Sequence, residues 1–493
     1  MSASTPFALL ANASARPWSQ VPEWPVAELV EATAAELDRG ARLCAWFGMG
    51  AGNAVRLVAV IAFDAERTLA VGRSAPFGRA YPALTARHAQ AHLFEREVRE
   101  QCGVAPEGHP WLKPVRLDVG AGPAVFPFFR VEGPEVHEVA VGPVHAGVIE
   151  PGHFRFQCAG EEVLHLEIAL GFQHRGVEEA LAGGPHLATR IQMETVAGDT
   201  TIAHATAYAS VIEALTGTEA PPRAQWIRAL ALELERLANH TGDLGALAGD
   251  VAFLPTASAC GKTRGDFLNL TALACGNRFG RGLVRPGGCG HDLERDRAEE
   301  MRARLPGALA EVEQAASWLW DAASVRTRFE NVGALSAGQA VDLGLVGPAA
   351  RACGVARDVR RDHPAGWHRV AQAPVATWPS GDVYARARVR WLEVQRSGQF
   401  LDEQLSEPVE GEPLAGVGEI AKDSLAVAMV EGWRGELCHV AITGPDGRFR
   451  RYKIVDPSFH NWTGLAMALR RQAISDFPLC NKSFNLSYCG FDL

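Results

Sequence analysis

The pattern of apolar and polar positions divides the chain into two regimes. Positions 26–41 repeat apolar residues at helical spacing, and the runs 42–48 and 54–63 are apolar enough to predict buried strands. Further on, Ile227, Leu230, Leu234 and Leu237 recur at steps of 3, 4 and 3. That stripe predicts a long helix with Gln225, Arg228, Glu235, Arg236 and Asn239 on its polar side. Positions 201–215 predict a slim, alanine-rich helix and 292–323 another. Around 425–443 the period shifts toward strands, and Pro445, Asp446 and Gly447 predict a hairpin turn. The stretch 118–138 mixes Gly and Pro with alternating apolar residues, which predicts a linker with about one strand. The fold class expected is α+β: a small N-terminal α/β domain over 1–125, a linker at 126–138 and a larger, mostly helical domain with a small β-rich part over 139–493.

Composition narrows the function. The 493 residues are 47% hydrophobic and 21% charged, ordinary for globular domains, and the formal net charge is −9. That balance argues against nucleic acid as a partner. Leu57 to Phe63 is far too short to span a bilayer, and the N-terminal segment lacks a secretion-signal pattern, so a cytoplasmic location is expected. Ten cysteines are scattered with no C-x-x-C pair, which removes the usual local signature of zinc, iron–sulfur or nickel sites. Walker, H-E-x-x-H and G-x-S-x-G signatures are absent too.

Longer motifs carry a resemblance. GPVHAGVIEPGHFRF (142–156), FQHRGVE (172–178), LELERLANH (232–240), Asp243, Asp250, Gly287-Gly288, Gly381-Asp382 and Arg386 occur in the order found in large subunits of membrane-bound [NiFe] hydrogenases and the 49 kDa subunit of respiratory complex I. The front region, with LFERE (93–97), Gly103 and Gly-His-Pro at 108–110, resembles the 30 kDa subunit of complex I. The chain thus resembles a fused 30 kDa/49 kDa-type subunit of the complex I and group 4 hydrogenase superfamily. The resemblance implies an oxidoreductase complex coupling electron transfer to ion movement, with the quinone- and NAD-binding associations of that family. It implies an iron–sulfur small subunit of complex I type and antiporter-like membrane-arm subunits as partners, and a peripheral position on the cytoplasmic side of a bacterial membrane. A silent scaffold joining those partners is the alternative.

The sequence departs from the family at the metal. The four expected thiolates would fall at Ala197, Thr200, Ser458 and Asn461. Soft thiolates suit nickel in a way that hydroxyls and amides do not, so no metal and no cofactor of the chain's own are expected. Asp199, His204, Glu178 and His460 are candidates for a proton relay in the vacated cavity. The family's quinone-binding histidine corresponds to His153, and its tyrosine position holds Met193, so quinone is a candidate ligand whose phenolic hydrogen-bond partner is missing. The tail FPLCNKSFNLSY (477–488) resembles the untrimmed, strand-like end of metal-free relatives, and no processing is expected.

Overall fold

The computed structural model describes residues 7–51, 54–116, 127–147 and 149–493. The mixed helix-and-sheet class is as expected. Helix Val26–Asp38 and strands Arg42–Met49 and Arg56–Phe63 form where the periodicity placed them. The strands pair antiparallel and continue through Thr68–Ser74 to Ala8–Leu10, with Glu23–Trp24 alongside in parallel. Both long strands are buried along almost their whole length, which is why they read as continuous apolar runs rather than alternations. Residues 118–126 of the expected boundary stretch lie outside the described residues. Val136–Val141 is a strand, paired with His153–Ala159.

The large region is built on four long helices, Pro222–Asp250, Leu254–Cys275, Arg295–Asp321 and Val383–Ser406. The first packs against the second and the fourth, and the third lies over both of those. Its central place changes the reading of its polar side. Arg228, Glu235 and Arg236 are buried along with the apolar stripe. Charges there are tolerated because they are paired: Arg236 donates to Glu233 and Glu393, and Glu393 also receives Arg351 and His240.

A second sheet, in the order Phe449–Val455, Gly435–Thr443, Ser424–Gly432 and Ser14–Pro17, backs the Thr201–Thr216 helix. Its last member comes from the front of the chain. The tail departs from its expected strand-like form. Phe477–Phe484 is a helix with Pro478 in its first turn, closed by Asn485 in the left-handed region, and Tyr488–Phe491 is a further helical turn capped by Ser487. Leu479, Cys480, Ser483 and Phe484 share the buried side, a helical rather than an alternating spacing.

Candidate functional site

Helix Thr201–Thr216 begins against the segment that should carry the first metal motif. The backbone carbonyl of Asp199 accepts from Asn239 Nδ2 at 3.0 Å and Trp433 Nε1 at 2.9 Å. Its carboxylate meets Arg434 in two bonds, 2.5 and 2.8 Å long. Arg434 comes from the tight turn between the two central strands of the second sheet, where Gly432 pairs with Gly435. The same guanidinium reaches Thr200 Oγ1 at 3.3 Å and, through Nε, the carbonyl of Asn485 at 2.6 Å. Burial alone would raise the Asp199 carboxyl, but the Arg434 charge and hydrogen bonds outweigh it and hold it below the ordinary value.

The second motif position now braces that turn. Asn461 accepts from Val346 N at 3.0 Å and donates to Val346 O at 3.1 Å. The next residue, Gly347, has φ +64°, and a Cβ there would stand 2.1 Å from the carbonyl oxygen of Arg434. An amide at 461 therefore fixes the loop on which the Arg434 turn rests. Ser458 Oγ accepts from Ser487 N at 2.8 Å. Ala197 offers no donor atom at all. These four residues do not fit a nickel–iron centre: they supply no thiolate, Thr200, Ser458 and Asn461 already have protein partners, and a cation lies beside Thr200. Among the described residues, no group of three or more His, Cys, Asp or Glu is placed to hold a metal ion.

Deeper in, four side chains form a line. Asp456, which caps the Pro457–Ala468 helix, has Oδ2 3.2 Å from His204 Nε2. His204 Nδ1 lies 3.0 Å from His439 Nε2, and His439 Nδ1 lies 3.0 Å from the Tyr452 hydroxyl. All four are buried to within 1% of complete. One proton arrangement satisfies every link: Tyr452 O–H donates to His439, His439 Nε2–H to His204, and His204 Nε2–H to Asp456. Burial, reinforced by the neighbouring His204, pushes His439 well below the ordinary imidazole value, so its neutral form is favoured. Burial pushes the Tyr452 phenol well above its ordinary value. Burial opposes ionisation of Asp456, but the His204 hydrogen bond and charge, with Arg434, leave its pKa lowered.

The expected relay residues thus separate. His204 joins the buried line, while Asp199 belongs to the Arg434 pair, with Asp456 near enough to oppose its charge. Glu178 sits elsewhere, bonded to Lys453 and Arg451 at 2.9 Å each; Lys453 also binds Glu97 of the LFERE helix at 2.6 Å. His460 faces the front region, edge-on to Phe94 at 5.5 Å, and its Nε2 has no hydrogen-bond partner. Its burial pushes its pKa down to about 4. The quinone candidates are held by different neighbours. His153 Nδ1 is held by the Gly142 carbonyl at 3.1 Å, whereas Met193 is fully buried among Leu181, Val196 and Tyr208.

Arg434, His439 and Tyr452 were not singled out from sequence. His439 alone left a signal, a polar residue inside an apolar strand, where burial demands a partner. Ala441 pairs directly with Tyr452, which makes His439 and Tyr452 diagonal neighbours on one sheet face.

Residues 250–419 match the family described as the 49 kDa subunit of respiratory-chain NADH dehydrogenase. The chain is 31% identical over 350 residues to a carbon monoxide-induced hydrogenase of Rhodospirillum rubrum, covering 71% of this chain and 97% of that one. It is 30% identical over 433 residues to formate hydrogenlyase subunit 5 of Escherichia coli, covering 83% and 76%. A subunit of the NADH-quinone oxidoreductase of Solibacter usitatus is 28% identical over 338 residues, covering 68% and 91%. The chain belongs to the complex I and group 4 hydrogenase large-subunit superfamily.

Proposed function

We propose that this chain is the large subunit of a membrane-associated, complex I-like oxidoreductase complex that couples electron transfer to ion movement without nickel chemistry of its own. The observation that carries the reading is the Tyr452–His439–His204–Asp456 line, ending next to the Arg434 and Asp199 pair. Each member can both receive and pass a proton, which is what a relay requires. A purely structural core would more cheaply fill that space with apolar side chains. No helix among the described residues is long and apolar enough to cross a membrane, so membrane attachment would come through partners. The partners proposed are an iron–sulfur subunit of complex I type and antiporter-like membrane subunits, with this chain peripheral on the cytoplasmic side. Quinone is the proposed acceptor class for the complex.

The Arg434 guanidinium supports a second reading, because it fills space beside the former metal-ligand positions. In that reading the chain is a silent scaffold between the iron–sulfur subunit and the membrane arm. Ion transport by the reconstituted complex separates the two. Tyr452→Phe and His439→Leu should leave the subunits assembled and transport reduced at least about tenfold, the scale of a lost acid–base step. Normal transport in both variants would leave only the scaffold.

A further inference from the structure

Away from this site, a cleft of about 420 Å³ opens between the Thr201–Thr216 helix, the start of the Pro222–Asp250 helix, the Ser424–Gly432 strand and the turn Gly366–Arg369. Its rim carries exposed Gly217, Glu219, Gly366 and Arg369. Buried side-chain atoms that lack a hydrogen-bond partner belong to its wall, Thr206 Oγ1 and His363 Nδ1, and a third wall residue, His368, has only the Ala371 backbone beside its ring. These three residues are 91% to 99% buried. Buried polar groups without partners are costly, and their concentration around one cleft calls for a ligand or solvent to satisfy them.

Thr206 and, away from the cleft, Thr241 differ from other helical threonines. Thr33, Thr263, Thr271 and Thr327 each bond back to the carbonyl four residues earlier in their helices, whereas the Thr206 hydroxyl does not. His363 Nε2 lies 3.0 Å from Asp64 Oδ1, so in the neutral ring the proton sits on that side and Nδ1 is left as an acceptor. Burial pushes His368 down to about 4, so at neutral pH its ring offers one donor and one acceptor.

The buried charged groups of the same wall are already spent. Arg228 gives its donors to Glu213 and the carbonyls of Arg285 and Gly288. Arg360 is taken by Asp358 and Glu233. Glu213 also accepts from Gly287 N, and Glu431 is held by Arg351 and Val359 N. No free charge remains inside the cleft, the exposed Glu219 and Arg369 standing at its rim, while neutral donors and acceptors do. Leu232, Met429 and Val430 supply an apolar wall.

We propose that this cleft binds an uncharged small molecule that carries both hydrogen-bond donors and acceptors, of the amide or lactam class, on an apolar body. The cleft lies where both regions of the chain meet, a common location for ligand sites.

The test is calorimetric titration of the full chain, in its complex, with three probes of one shape: naphthalene-2-carboxamide, naphthalene-2-carboxylate and naphthalen-2-ylmethylammonium. The carboxamide should bind saturably at one per chain, and the two ions at least about tenfold more weakly, as expected where a charge would be buried unpaired. Thr206→Val keeps the side-chain shape and removes a hydroxyl that bonds nothing, so the fold survives. It should weaken the carboxamide about five- to tenfold, and His368→Phe should do the same. Equal binding of all three probes, no saturable carboxamide binding up to about 1 mM, or carboxamide binding unchanged in both variants would overturn the proposal.

Discussion

Arg434 and Asp199 stand 235 positions apart and share two parallel hydrogen bonds, with the Trp433 ring 3.9 Å from the guanidinium carbon. The pair closes the space between the two motif segments. Arg434→Met should lower stability by about 2–4 kcal/mol, because it leaves the Asp199 carboxylate facing Asp456 with no counter-charge. Asp199 keeps 36% side-chain exposure, which favours the lower end of that range. Arg434→Lys should recover part of the loss, since an ammonium restores the charge but not the fork. Thermal unfolding of the three proteins in one buffer checks the order wild type, Lys, Met.

Plasma mass spectrometry of the native complex should find no stoichiometric nickel. The basis is the donor chemistry at Ala197, Thr200, Ser458 and Asn461 described above. One nickel per copy of this chain would refute the nickel-free reading.

His460 and His204 should behave oppositely. His460 has an unpartnered nitrogen against Phe94, so His460→Phe removes a buried polar atom and should be neutral or stabilising by about 1 kcal/mol, with ion transport unchanged. His204 bonds at both nitrogens, so His204→Phe takes one buried partner each from His439 Nε2 and Asp456 Oδ2 and should cost about 2–4 kcal/mol and transport together. Equal effects of the two changes would dissolve the distinction.

Glu235 predicts a pH dependence. Burial pushes its carboxyl up to about 8, even though it accepts from Ile202 N at 2.7 Å and Ala203 N at 3.3 Å. Between its ordinary 4.5 and 8 the folded protein holds a proton that the unfolded chain has released, so this group's contribution falls as pH rises. His368 and His460, both pushed down to about 4, act in the other direction: their contribution is lost as pH falls from 6.5 to 4. Above pH 6.5 those histidines no longer compete. Stability should therefore decline by about 2 kcal/mol between pH 6.5 and 8, and Glu235→Gln should flatten that slope. A slope unchanged in the variant would assign it to another group.

The long helices were legible because each buries a stripe whose period survives in the sequence, and the front strands because burial on both faces leaves an unbroken apolar run. The polar side of the Pro222–Asp250 helix was misleading: Arg228, Glu235 and Arg236 have the spacing of a solvated face, and only the helices and strands packed around them show that they are internal. The candidate site was half legible. Asp199 and His204 could be placed by the motif they belong to, whereas their partners Arg434, in a turn, and His439, on a strand, lie 235 residues away. Pairing across such a separation leaves no local trace.

The first strands have a consequence for how the chain can be taken apart. Ala8–Leu10 belongs to the front sheet, Ser14–Pro17 to the sheet behind the Thr201–Thr216 helix, and Glu23–Trp24 to the front sheet again. Between the first two, Asn12 bonds the backbone of His363 and Met429 through three hydrogen bonds. The front region is sewn into the rear one by its own leading edge, independently of the peptide that joins them near residue 120. Cleaved there, the protein should behave as a two-piece molecule whose halves copurify, and a rear half made without residues 1–24 should be left with a raw sheet edge along Ser424–Gly432.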